Sequence, residues 1–275
     1  MYIDAHQHFW KYDPKEYDWI SEDMQDIRKD FMPDDLKPLL QKLGFAGSVA
    51  VQARTTVEET EWLLQLSDQY EHIMGVVGWV DLCSPEVEKD LERFAKHPKF
   101  KGVRHVVQGE PDDRFMLREE FLRGLSLLKQ YHLTYDLLLF PKHLPVASEV
   151  VKQFPEQKFV LDHLAKPFIA DGIIEPWAAE IQKLAKHKNV YCKVSGMVTE
   201  AKWHDWKAEN FKPYLDVVFE SFGCDRLMIG SDWPVCTVSQ PYDVVMRIVM
   251  DYIQQFSAEE QAAVLGGNCR AFYNL

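Results

Sequence analysis

Eight short apolar runs recur along the chain, separated by longer amphipathic stretches. They are YIDAHQ (2–7), FAGSVAVQA (45–53), IMGVVGWVD (73–81), FKGVRHVVQ (100–108), LTYDLLLF (133–140), KFVLDHL (158–164), NVYCKVSG (189–196) and RLMIGSD (226–232). Several are apolar at consecutive positions, as strands covered on both faces are. The intervening stretches carry helix signals. PDDLKPLLQKLG (33–44) starts acidic and stops at Gly44. Thr56 and Glu59 have capping-box spacing, and Ser84 with Pro85 opens another helix. Residues 117–131, 175–187 and 240–256 follow the same logic, and 257–275 adds a terminal helical segment interrupted by Gly266 and Gly267.

Eight strands alternating with helices over 275 residues predict one α/β domain, residues 1–275, folded as a (β/α)8 barrel with an extra C-terminal helix. An open doubly wound sheet would want a glycine-rich phosphate loop after the first strand, and none is present. The longest irregular stretch, residues 9–33, carries Trp10, Tyr12, Tyr17 and Trp19, which suit a pocket rim or lid.

The formal charge is -12 and no basic run occurs. Phosphate recognition needs a positive footprint, so nucleic acid and anionic membranes are not expected partners. No apolar run approaches the roughly 20 residues of a membrane span. Five cysteines without a Cys-x-x-Cys pair form neither a disulfide framework nor a thiolate zinc site. Reduced thiols and a cytoplasmic location are the expectation.

Barrel enzymes collect their chemistry at the C-terminal ends of the strands. The residues there are His6 and His8 of strand one, Gln52 of strand two, Trp79 and Asp81 of strand three, and Arg104 and His105 of strand four. Tyr135 and Asp136 follow in strand five, Asp162 and His163 in strand six, Ser195 in strand seven and Asp232 in strand eight. Residues i and i+2 of a strand share a face, so His6 and His8 either converge on one site or divide between core and surface. Asp136 and Asp162 serve directly or cap turns. Arg104 interrupts an apolar strand, which is costly unless it is paired; it binds substrate or a carboxylate. His105 faces the other way and is expected to be structural. Three imidazoles and a carboxylate (His6, His8, His163, Asp232) match a divalent ion such as Zn2+. The same groups also work without metal, Asp232 as base for water and the imidazoles polarising a carbonyl.

The blocks DAHQHFW, GVRH (102–105), LDHLAKP (161–167), VYCKVSGMVTEA (190–201), DRLMIGSDWPVC (225–236) and GGNCRAFYNL (266–275) resemble, in order, the amidohydrolase superfamily. More narrowly, they are similar to a lactonase-rich branch of metal-dependent barrel hydrolases. Its members act on 2-pyrone-4,6-dicarboxylate and on sugar-acid lactones such as L-fucono- and L-rhamnono-lactones. The resemblance implies a distorted (β/α)8 barrel, with His6, His8, His163 and Asp232 as catalytic residues and as ligands of any bound ion. Asp232 corresponds to the family's proton acceptor. The chain departs from the binuclear pattern, for strand four has no Lys or Glu bridge and strand five no histidine. None or one divalent ion, with Zn2+ foremost, is expected.

The function implied is hydrolysis of a sugar-acid lactone or similar polar cyclic ester by water that Asp232 activates. Arg104, Gln52, Trp79 and Tyr135 are the expected substrate contacts. The partner is then a small-molecule lactone, and a homo-oligomer is compatible with the sequence. The alternatives are a decarboxylase or amide hydrolase on the same barrel, or a non-catalytic barrel that binds a sugar acid.

Overall fold

The computed structural model describes all 275 residues. Eight parallel strands form one sheet in sequential order. They are β1 (Tyr2–Gln7), β2 (Phe45–Val51), β3 (Ile73–Gly78), β4 (Phe100–His105), β5 (Thr134–Leu137), β6 (Phe159–Leu161), β7 (Val190–Val194) and β8 (Leu227–Ile229). The helices are α1 (Pro33–Leu43), α2 (Val57–Gln69), α3 (Val87–Phe94), α4 (Glu119–Leu127), α5 (Leu144–Gln153), α6 (Trp177–Leu184), α7 (Ala208–Phe222), α8 (Tyr242–Tyr252), α9 (Ala258–Ala262) and α10 (Asn268–Tyr273). This is a (β/α)8 barrel with a broken terminal helix. Strands β8 and β1 meet through isolated contacts rather than a regular ladder: Asp232 N–H donates to the His6 carbonyl at 2.8 Å and His8 N–H to the Trp233 carbonyl at 2.7 Å.

Local chemistry explains several boundaries. Gly44 ends α1 in the left-handed region, at φ 78°, where a side chain would be strained. Thr56 caps α2 by accepting from Glu59 N–H, but the Glu59 carboxylate does not complete a capping box. It accepts instead from the backbone N–H groups of Ala53 and Arg54, fixing the loop after β2. The strands stop short of the apolar runs that mark them. Residues 79–81, 106–108, 138–140 and 162–164 leave the sheet as loops, and some of these overhangs carry site residues. Helices α5 and α7 lack strong start signals, and Pro213 falls inside α7, where the sequence alone argues for a break.

The interior is layered. Ile3, Val49, Val77, Val160 and Met228 of the strands pack with Cys269, Phe272 and Tyr273 of α10 as an apolar plug. The terminal segment seals the N-terminal ends of the strands: Lys158 Nζ donates to the Ala271 and Phe272 carbonyls, and Lys101 Nζ to that of Asn274. Above the plug the interior turns polar and charged. No helix is long and apolar enough to cross a membrane.

Candidate active site

His6 and His8 leave β1 with their rings converging, Nε2 to Nε2 at 3.2 Å. Asp232 Oδ1 lies 3.3 Å from His8 Nε2 and 3.8 Å from Nε2 of both His6 and His163. All four residues are buried. The expected quartet is therefore one cluster. It forms the floor of a cavity of about 660 Å³ at the C-terminal mouth, where His8, His163 and Asp232 are exposed to the void.

Local backbone places these groups. Asp232 has φ 58°, and His163, Leu164, Ala165 and Lys166 form a run at φ 53° to 58°. Each such residue costs about 1 kcal/mol, so surrounding contacts hold the turn: Trp177 Nε1 donates to the Leu164 carbonyl and Lys166 N–H to that of His163, at 2.6 and 2.7 Å. Gly196 lies against the His163 ring at φ 63°; a Cβ there would meet Nδ1 at 2.5 Å.

Hydrogen bonds orient the rings. His8 Nδ1 is 2.8 Å from the Val51 carbonyl. A carbonyl only accepts, so this nitrogen carries the hydrogen and Nε2 turns its lone pair to the site. His163 Nδ1 is 2.9 Å from Ser195 Oγ. Burial pushes His163 down to about 4, against the opposing pull of Asp232 and Asp162. Burial also lowers His6 well below its ordinary value, with Asp162 opposing. For Asp232, burial acts upward, but the imidazoles around it, His163 foremost, prevail and hold the carboxyl below its usual range. At neutral pH the floor is therefore a carboxylate facing neutral His6 and His163.

Beneath the floor is a charged layer. Lys193, wholly buried on β7, contacts Asp136 Oδ2 at 2.5 Å, Asp162 Oδ1 at 3.0 Å and His6 Nδ1 at 3.2 Å. Burial works against its charge, yet the two aspartates raise it above its ordinary value. Asp162 is held well below the carboxylate range: burial acts upward, and Lys193, His6 and Arg104 outweigh it. The Tyr273 hydroxyl donates to Asp136 Oδ2 at 2.8 Å. Asp136 and Asp162 are thus partners of buried cations rather than turn caps.

The four expected substrate contacts separate. Arg104 lines the cavity, but its fork points at protein: Nε and Nη2 at Gln52 Oε1, Nη2 also at the Gln52 carbonyl, and Nη1 at Asp162 Oδ2 and His6 Nε2. Gln52 lies beneath it, fully buried, and does not line the cavity. Tyr135 packs between Phe121 and Phe159 on the helix side of the sheet. Trp79 donates from Nε1 to His105 Nδ1 at 3.1 Å. Neither ring lines the cavity. His105 lines its rim and is held between that indole and Glu110 Oε1, 2.7 Å from Nε2. In the 9–33 segment Trp10 and Tyr17 are core residues, whereas Lys15, Glu16, Asp18 and Trp19 line the mouth. Lys193 escaped notice in the sequence, although a lysine inside the apolar run VYCKV is the signal that singled out Arg104.

The donor set suits a metal ion. Tetrahedral zinc with bonds of 2.0–2.1 Å spaces its ligand atoms about 3.3 Å apart, close to the 3.2–3.8 Å separations among His6, His8 and Asp232. A second group of potential ligands, His6, Asp162 and His163, lies alongside, but both oxygens of Asp162 are already engaged, by the Arg104 guanidinium and the Lys193 ammonium. Three buried carboxylates (Asp136, Asp162, Asp232) face two fixed cations (Arg104, Lys193). Carboxylates outnumber cations around the cluster, which favours an added cation.

The amidohydrolase family profile matches residues 3–275. An L-fucono-1,5-lactonase of Burkholderia multivorans is 37% identical over 284 residues, covering 99% of this chain and 96% of its own. An L-fucono-1,5-lactonase of Burkholderia ambifaria is 36% identical, with 99% and 95% covered. The crystal structure of a Burkholderia multivorans amidohydrolase with bound zinc superposes with a TM-score of 0.96 at 37% identity, over 100% of this chain and 99% of that one. With eight parallel strands in barrel order and a histidine–aspartate floor at their C-terminal ends, this hydrolase belongs to the amidohydrolase family.

Proposed function

We propose that the protein hydrolyses a sugar-acid lactone. The observation that carries this reading is the convergence of His6, His8, His163 and Asp232 on a polar cavity, in a chain 37% identical over nearly its whole length to an L-fucono-1,5-lactonase.

His6, His8 and Asp232 are the residues that would hold a divalent ion. Bound there, such an ion supplies Lewis acidity and makes water a stronger acid. Asp232 is ionised at neutral pH, so it is always ready to take a proton, though its proton affinity is low. It accepts the proton of the attacking water as oxygen adds to the lactone carbonyl. His163, neutral and steadied by Ser195 at Nδ1, donates from Nε2 to the developing oxyanion. When the ring C–O bond breaks, Asp232 returns its proton to the leaving alkoxide, and the product is a hydroxy acid. Arg104 and Lys193 hold Asp162 and His6 in place without entering the reaction.

Turnover of L-fucono-1,5-lactone, read with a pH indicator as acid is released, tests the proposal. A metal-supplemented protein that opens no member of a sugar-lactone panel overturns it. Elemental analysis is expected to give no more than one divalent ion per chain. His8→Gln is expected to lose the ion and His163→Gln to retain it; two tightly held ions per chain contradict the assignment.

A further inference from the structure

Four cations line the cavity: Lys15, Arg54, Arg104 and Lys166. The Arg104 donors are all directed at Gln52, Asp162 and His6. Arg54 is paired with Glu16 and lies over the Tyr17 ring. Lys15 stands on an exposed loop. Lys166 differs from all three. Its nearest carboxylate oxygen, Glu200 Oε1, is 3.9 Å from Nζ, too far for a hydrogen bond. Its only other marked neighbour is the face of Phe140, at 5.8 Å. The side chain is only 20% exposed and lines the cavity, and no protein acceptor lies within hydrogen-bond distance of its ammonium.

Its backbone is as constrained as that of the catalytic groups. Lys166 ends the left-handed run that begins with His163, and its N–H closes the turn on the His163 carbonyl. Strain of this kind persists where surrounding structure enforces it, and it clusters at functional positions. One turn thus delivers both an imidazole to the cavity floor and an ammonium to the cavity wall.

We propose that Lys166 is a specificity-determining residue, donating to a hydroxyl oxygen of the substrate away from the scissile carbonyl. The assignment rests on the lactone reading above and adds the residue that reads the hydroxyl groups of such a lactone. An ammonium has donors only, so it rewards an acceptor oxygen and gains nothing from a bare methylene. A donor that a bound substrate screens from water but leaves unpaired discriminates more strongly than an apolar pocket does.

The test compares kcat/KM for L-fucono-1,5-lactone and for unsubstituted δ-valerolactone in wild type and Lys166→Met, with circular dichroism confirming the fold of both. The ratio between the two substrates is expected to fall about tenfold or more in Lys166→Met. An unchanged ratio overturns the proposal, including the outcome in which both rates fall together, because that pattern belongs to a group acting on the oxyanion. Calorimetric titration of L-fuconate, the opened hydroxy acid, separates this inference from the reading beneath it. If the wild type turns over neither lactone, the lactone reading falls and the titration alone judges Lys166. Binding weakened about tenfold in Lys166→Met supports the assignment; equal affinity, or no binding to wild type, rejects it.

Discussion

At the scale of single residues, Asp232 combines three constraints: a left-handed backbone, burial, and three imidazole nitrogens within 3.8 Å. Asn keeps the shape and loses the base, so Asp232→Asn is expected to lower kcat about 100-fold or more. Near-normal turnover in a folded variant would remove Asp232 from the reaction. His163 leaves a signature in stability. Its folded-state value of about 4 lies below the ordinary 6.5, so the unfolded chain takes up the proton first. The contribution is full above about pH 6.5 and is lost as pH falls toward 4, about 3 kcal/mol in all. Denaturant unfolding of wild type and His163→Gln across this window checks the sign: the stability difference should shift against the wild type as pH drops. The clustered quartet of His6, His8, His163 and Asp232 was legible because histidine and aspartate at strand ends have few structural uses in such numbers. The supporting charges were not, because pairing across a barrel joins β4, β6 and β7, which lie far apart in sequence. Arg104 was noticed as a charge in an apolar strand, but nothing local shows that Gln52 and Asp162 occupy its fork. Lys193 carries the same signature, and its partners Asp136 and Asp162 are 57 and 31 positions away.

At the scale of elements, the strand order follows directly from alternation, since parallel strands must be joined by crossovers. The strand ends were harder. The sequence run through Leu161, Asp162, His163 and Leu164 is apolar enough to read as one strand, yet the chain turns left-handed at His163. A residue type other than glycine gives no warning of that. Helix α7 was obscured by Pro213, whose missing N–H the long helix tolerates. The partner of the left-handed turn is the loop after β7, and Gly196 is its closest approach. Gly196→Ala combines an unfavourable φ with a Cβ 2.5 Å from His163 Nδ1. It is expected to cost about 1–3 kcal/mol in urea unfolding and to lower kcat by displacing the imidazole. Unchanged stability and rate would mean that the turn has slack that its contacts do not suggest.

At the scale of the whole molecule, α10 does more than cover an open end. Its Tyr273 reaches the charged layer, donating to Asp136. Tyr273→Phe keeps the ring and removes that hydrogen bond to a carboxylate, so a loss of about 1.5–3 kcal/mol is expected, measurable by urea denaturation. A variant as stable as the wild type would show that Lys193 alone satisfies Asp136.

The meeting of β8 with β1 has a consequence for how the protein comes into being. The backbone amides of His8 and Asp232 bond across that junction, and the side chains of the same residues form part of the cavity floor. Residues separated by more than 220 positions must therefore meet before the cluster exists. A chain still emerging from the ribosome, with seven strands made and the eighth unmade, holds two histidines that have no aspartate to face. Premature termination anywhere before residue 232 leaves the proposed base unmade, and a two-fragment version of this protein is expected to report reassembly of its halves by the return of lactone turnover.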